Sequence, residues 1–235
     1  MKTGPDLLAC HVRALFVHDA DGRIVRANEP GEGPHHAAPR FYLGRSRETN
    51  LARVRADVAE STAGALLALA AREPIVDPLQ VAPRHAAEYE RVLAAERPVV
   101  ERYAGPAFRF ADLDRDCADV VAVTEQNAGV LRGGFEAWLR DVRDWQPFVA
   151  YRVEGRAVAI CASVRITREA HAAGVETLPA FRGRGYAPDV VGAWARRVRA
   201  LGALPLYSTS WSNAASLRVA GKLRLVAYGT DYHLT

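Results

Sequence analysis

The chain has 235 residues, 49% of them hydrophobic, enough to bury a sizeable core as one large domain or two small ones. Its net charge of +4 comes from arginines dispersed among acids, which excludes the clustered basic footprint of a nucleic-acid-binding protein. No apolar run reaches membrane-span length, no signal-type segment opens the chain, and three scattered cysteines (Cys10, Cys117, Cys161) form no metal or disulfide framework, so a reduced, cytoplasmic protein is expected.

In chain order, 13–17 and 23–26 flank Asp19-Ala20-Asp21-Gly22 and predict a β-hairpin, with Gly22 supplying a turn conformation that other residues resist. A Gly/Pro-rich loop covers 30–39. The alanine-rich stretch 51–71 reads as a helix, and a second helix is expected around 85–96. Pro98 and the Gly105-Pro106 pair interrupt the pattern and place a domain boundary between 104 and 105. Beyond it, Phe108-Arg109-Phe110 alternates as a strand, and 117–130 and 134–142 read as two helices. Segments 147–153 and 156–166 form an antiparallel hairpin turning at Glu154-Gly155, and 170–178 is the next strand. No internal repeat is visible.

That strand runs directly into Arg182-Gly183-Arg184-Gly185-Tyr186-Ala187 and then into an amphipathic helix carrying Val191, Trp194, Val198 and Leu201. A strand, a glycine-arginine turn and a helix in immediate succession gather unpaired N–H groups and the positive end of a helix dipole at one point, which suits a pyrophosphate. Pro188 stands where a dinucleotide-binding turn needs its third glycine. The only lysines, Lys2 and Lys222, exclude a Gly-Lys-Ser/Thr phosphate loop. An ordinary glycine connection is the plain alternative.

The loop resembles the pyrophosphate loop of the GNAT acetyltransferases, Arg/Gln-x-x-Gly-x-Gly/Ala after a strand, with Arg182, Gly185 and Ala187 in register. Downstream, Gly202 closes the helix, Leu204 to Ser208 reads as a strand, and 212–223 resembles the superfamily's Asn-x-x-Ser/Ala-x-x-(apolar)-x-x-Lys-Leu segment. Asn213 or Ser212 doubles there as a helix N-cap. The two blocks cover 175–225.

The resemblance implies an α/β (α+β mixed-sheet) GNAT fold in 105–235. Region 1–104 is then either a degenerate GNAT-like half or a substrate-shaping α+β cap. It further implies acetyl-CoA or another acyl-CoA as co-substrate and an amine of a small molecule or protein as acceptor, with a homodimer as a possible assembly. The backbone from Arg182 through Gly183, Arg184, Gly185, Tyr186 and Ala187 would cradle the pyrophosphate, and Val175, Glu176 and Thr177 would pair with pantetheine. Asn213 and Ser216 would form the second cofactor segment. Gly174 marks either a bulge or close approach beside the thioester, or a plain irregularity. His171, eleven places before Arg182, is the candidate general base, with Glu176 and Glu169 in reserve.

Three departures stand out. Ala220 occupies the position of a tyrosine acid, and Ser208 that of a glutamate base. Arg224-Leu225 replaces the usual Gly-Phe. Ser216, Tyr207 or Tyr228 could protonate the thiolate instead. A non-catalytic acyl-CoA-binding or sensory module therefore remains the alternative. No metal is expected: Asp112, Asp114 and Asp116 lack the glycine and glutamate of a calcium loop, and His35-His36 has no partnered ligands.

Overall fold

The computed structural model describes residues 4–31, 36–75, 77–111 and 118–235. Asp112, Asp114, Asp116, Cys117 and His35 thus lie outside the described residues. The first part of the chain gives α1 (Gly4–Leu15), β1 (Phe16–His18), β2 (Ile24–Ala27), β3 (Phe41–Arg45), β4 (Asn50–Val54), α2 (Glu60–Ala70), α3 (Ala86–Ala94) and β5 (Arg102–Arg109). The second gives β6 (Val120–Ala122), β7 (Phe148–Val153), β8 (Arg156–Ile166), β9 (Ala170–Thr177), α4 (Tyr186–Ala200), β10 (Leu204–Ser208), α5 (Ala214–Lys222) and β11 (Val226–Leu234). This is a mixed α/β fold.

Apart from the β1–β2 hairpin, the strands form one nine-stranded sheet in the order β4-β3-β11-β5-β10-β9-β8-β7-β6. The position 104/105 falls inside β5, which lies between β10 and β11 and pairs antiparallel with both. Strands from early and late in the sequence therefore share one ladder. Pro106 is tolerated within β5 because β10 ends at Ser208, opposite Ala107. Beyond that point Thr209 N reaches Pro106 O (3.3 Å) and Trp211 N reaches Ala104 O (3.1 Å), so the chain leaving β10 supplies the donors and takes none from the proline nitrogen.

Neighbouring residues of β10 separate the two faces of the sheet. Leu206 packs against Leu7, Leu8, Cys10 and Ala14 of α1, whereas Tyr207 packs with Val190, Val191 and Trp194 of α4 and Ala220 of α5. The α1 and α4 helices thus cover opposite faces, as strand alternation requires. Trp194 is fully buried at the centre of the α4 side. On the opposite side, Phe148, Ala150, Ile160 and Ala162 of β7 and β8 lie under Leu131 and Phe135.

Three helical expectations change. The stretch 51–71 opens as strand β4, because Asn50–Val54 pairs with β3, and α2 starts only at Glu60. The two helices expected over 117–130 and 134–142 are 3-10 turns at Ala128–Leu131 and Glu136–Asp141, preceded by β6. Gly133 and Gly134, at φ +94° and +146°, separate the turns in conformations that no α-helix continues through. Residues 13–15, expected in the first hairpin strand, instead end α1.

Candidate functional site

After β9 a short 3-10 turn (Pro179–Phe181) leads to Gly183 at φ +80° and Gly185 at φ +95°, which swing the chain into α4. Both conformations favour glycine. A Cβ at either position would meet nothing within 4 Å, so the outer side of the turn is open. Gly185 is the N-cap of a 15-residue helix and carries no capping side chain. The amides of Gly183, Arg184 and Gly185 meet no acceptor among the described residues. Exposed N–H groups at the positive end of a long helix form an anion site.

Two arginines border it. Arg182 Nε donates to Thr177 O (3.2 Å), and Arg184 Nη2 donates to Ala180 O (3.3 Å) with its guanidinium 5.3 Å from the Phe181 ring centre. Each keeps further N–H groups for a phosphate. The Tyr186 ring lies 4.3 Å from that of Tyr151, so it builds a wall while its backbone opens the helix. Ala187 follows in the first turn and is half-buried.

The sheet forks beside this turn. Strands β9 and β10 run parallel only through Leu204↔Ala170, Pro205↔His171 and Leu206↔Ala172. Beyond Ala172, β9 stays with β8 but has no strand partner on its other edge among the described residues. Leu178 N bonds to Val158 O (3.0 Å), which fixes the alternation: Glu176 and Gly174 direct their backbone groups to β8, Val175 and Thr177 into the fork. Of the three residues expected to pair with pantetheine, Val175 therefore presents both backbone groups to the fork, and Thr177 its N–H, its carbonyl already accepting from Arg182 Nε. The Glu176 backbone is spent on Ile160. Gly174 makes room for the bulge in β8, since a Cβ there would lie 2.2 Å from Val164 Cγ1.

Across the fork, Asn213 caps α5 through Oδ1, which accepts from Ser216 N (3.0 Å). The Ser216 hydroxyl lies 2.5 Å from the Tyr207 hydroxyl, and burial pushes that phenol up to about 12. Ala220, where a tyrosine acid was sought, is buried. Tyr228 is engaged elsewhere: its hydroxyl lies 2.6 Å from His11 Nδ1, and His11 Nε2 lies 2.9 Å from Asp231.

His171 sits one residue before the fork, under α4, and is only 6% exposed. Its Nδ1 lies 2.9 Å from Ser163 Oγ, which also accepts from Trp194 Nε1 (3.0 Å). No described partner reaches Nε2, and burial lowers the ring's pKa. Glu176 is exposed on the opposite face and accepts from Trp138 Nε1 (2.6 Å). Glu169 pairs with Arg13 at 2.7 Å, before β9 begins. The fork thus gathers His171, Val175, Thr177 and the loop, but holds Glu176 by a different contact from the expected one. Sequence reasoning missed Ser163 and Trp138; a lone serine in the apolar run of β8 was the only available signal for the former.

No protein-family model matches the sequence, nor does any curated protein. Solved structures that resemble it include a GNAT-family protein from Novosphingobium aromaticivorans (TM-score 0.47, 20% identity), matched over 58% of this chain and 65% of that one. The chain spans less than two thirds of that relative's length. Others are a GCN5-related N-acetyltransferase-like protein from Streptococcus suis (0.48, 16%, over 84% and 85%) and a tandem GNAT protein from the clavulanic acid biosynthesis pathway (0.46, 12%, over 91% and 80%). Likeness at this level assigns no activity to the chain. Among the described residues no helix is long and apolar enough to cross a membrane, and no cluster of three His, Cys, Asp or Glu could hold a metal.

Proposed function

We propose that the chain is a GNAT-type N-acyltransferase that moves an acetyl group from acetyl-CoA to a primary amine by direct attack in a ternary complex. One observation carries this reading: an uncapped, arginine-flanked helix start stands beside a strand whose partner has turned away. A diphosphate fits the first feature, and an amide-bearing pantetheine arm fits the second as an added strand. Their adjacency fits a molecule that has both.

In the reaction, the amine lone pair attacks the thioester carbon and the carbonyl oxygen becomes an oxyanion beside the free N–H of Val175. The C–S bond then breaks. The thiolate, of ordinary pKa about 8.5, accepts a hydrogen bond from the Ser216–Tyr207 hydroxyl pair and takes its proton from solvent. The acceptor's proton leaves through water to His171 Nε2, whose lowered pKa suits a relay better than a permanent store. Val175, Thr177, Arg182, Gly183, Arg184, Gly185, Tyr186, Ala187, Asn213 and Ser216 hold the coenzyme.

Ala220 and Ser208 favour one second reading, a module that binds acyl-CoA without turnover. Calorimetry with acetyl-CoA and thiol release over an amine panel separate the two, and no affinity for any CoA ester ends both. Arg184→Ala is expected to weaken acetyl-CoA about tenfold, the value of one charge-assisted hydrogen bond, while leaving the amine KM unchanged. Equal losses on both substrates would remove Arg184 from the phosphate site.

A further inference from the structure

On the α1 face, opposite the glycine-arginine loop, lies a cavity of about 190 Å³. Its walls come from distant parts of the chain: Phe16 and Ala27 of the small hairpin, Tyr103 at the start of β5, His233 near the end of β11, and Arg165 of β8. Arg165 connects it to the fork. It pairs in the ladder with Ala172, the last residue of β9 that still has β10 beside it. This register places Arg165 one strand away from the base of the fork, across β9 from β10.

The lining has a definite chemistry. Phe16, Tyr103 and His233 form an aromatic wall, the last two stacked with centroids 4.8 Å apart, and Leu15, Ala27 and Pro39 are apolar. Arg165 and His36 both pair with Glu29, at 3.0 and 2.6 Å. Glu101 lines the opening with no ion pair among the described residues, so it brings an unpaired carboxylate to the rim. The Tyr103 hydroxyl also meets no partner among the described residues. The volume is below the range of about 300–1,000 Å³ usual for drug-sized ligands and excludes a folded protein segment.

We propose that this cavity is the acceptor pocket and selects small primary amines with a compact apolar or aromatic body, Glu101 attracting the ammonium and Tyr103 offering it a hydrogen bond. The inference rests on the acyltransferase reading for its chemistry but not for its binding test. The test uses the full chain, with 2-phenylethylamine and hexylamine as cationic probes and phenylacetate as the anionic counterpart, titrated by calorimetry with and without acetyl-CoA.

Both amines are expected to bind and phenylacetate to fail. Glu101→Gln should weaken the amines by up to about fivefold, the upper value for one exposed ion pair. Tyr103→Phe should act in the same direction, and Ala37→Trp, placed on an exposed lining residue, should abolish binding by filling the space. The acetyl-CoA affinity should stay constant in all three. Amine binding that ignores Ala37→Trp and Glu101→Gln, equal binding of phenylacetate, or no amine binding at all would overturn the pocket. A chain that takes up acetyl-CoA but no amine retains the coenzyme site and loses this inference. One that binds amines in the cavity but no CoA ester loses the acyltransferase reading instead.

Discussion

Arg224 shows what a single residue costs when it stands where glycine is usual. It follows the C-cap of α5 at φ +50°, a left-handed conformation that a side chain adopts with strain. Arg224→Gly is expected to stabilise the protein by about 1 kcal/mol, read as a higher urea midpoint. An unchanged or lower midpoint would show that the guanidinium contributes more than the backbone loses. At His233 the same scale gives a pH dependence. Burial holds this imidazole down to about 4, whereas it titrates near about 6.5 in an unfolded chain. Between those values the unfolded state binds a proton that the native state does not, so stability is complete above pH about 6.5 and declines as pH falls toward 4. The lowered pKa of His171 acts with the same sign. Urea midpoints at pH 7 and pH 5 measure the decline, and His233→Gln should reduce it. Identical midpoints for the native sequence would contradict the assignment.

Gly105 belongs to the scale of elements, because it sets how closely β5 can approach the chain leaving β10. A Cβ there would lie 1.8 Å from the carbonyl oxygen of Thr209, a backbone atom with no rotamer to escape into. Gly105→Ala should destabilise by about 3 kcal/mol or more, because the whole strand must shift. A loss below about 1 kcal/mol would mean that this end of the sheet is looser than the geometry indicates. The same residue explains why the sequence misled. A Gly-Pro pair is ordinarily punctuation, and only the tertiary partners of β5 reveal it as a crowded strand interior. Local signals were sufficient where structure is local: the positive-φ glycines at 22, 155, 183, 185 and 202, the Asn213 cap, and the strand-turn-helix around Arg182 were all legible. The alanine-rich stretch from 51 was not, since β3 pulls its first residues into the sheet against their helical composition. The fork was not legible locally, because nothing in the alternation of 170–178 says where β10 departs.

At the scale of the whole molecule, the nine-stranded sheet couples both parts of the chain. Severing it between 104 and 105 would split β5 and leave β11 with incomplete partners on both sides. The fragment 105–235 is therefore expected to fail as an independent unit, with little cooperative unfolding by circular dichroism. A fragment that melts sharply and keeps acetyl-CoA affinity would show that the insertion of β5 is dispensable.

The position of β5 also sets a timetable for the nascent chain. This strand leaves the ribosome well before either neighbour has been translated, and its second neighbour, β11, follows only at Val226–Leu234. Until then its edges are unsatisfied and open to wrong pairings, the situation in which chaperones intervene. Vectorial folding, one half settling while the other is still in synthesis, is closed to this topology. Strand β5 must wait for β11 before its place in the sheet can be finished.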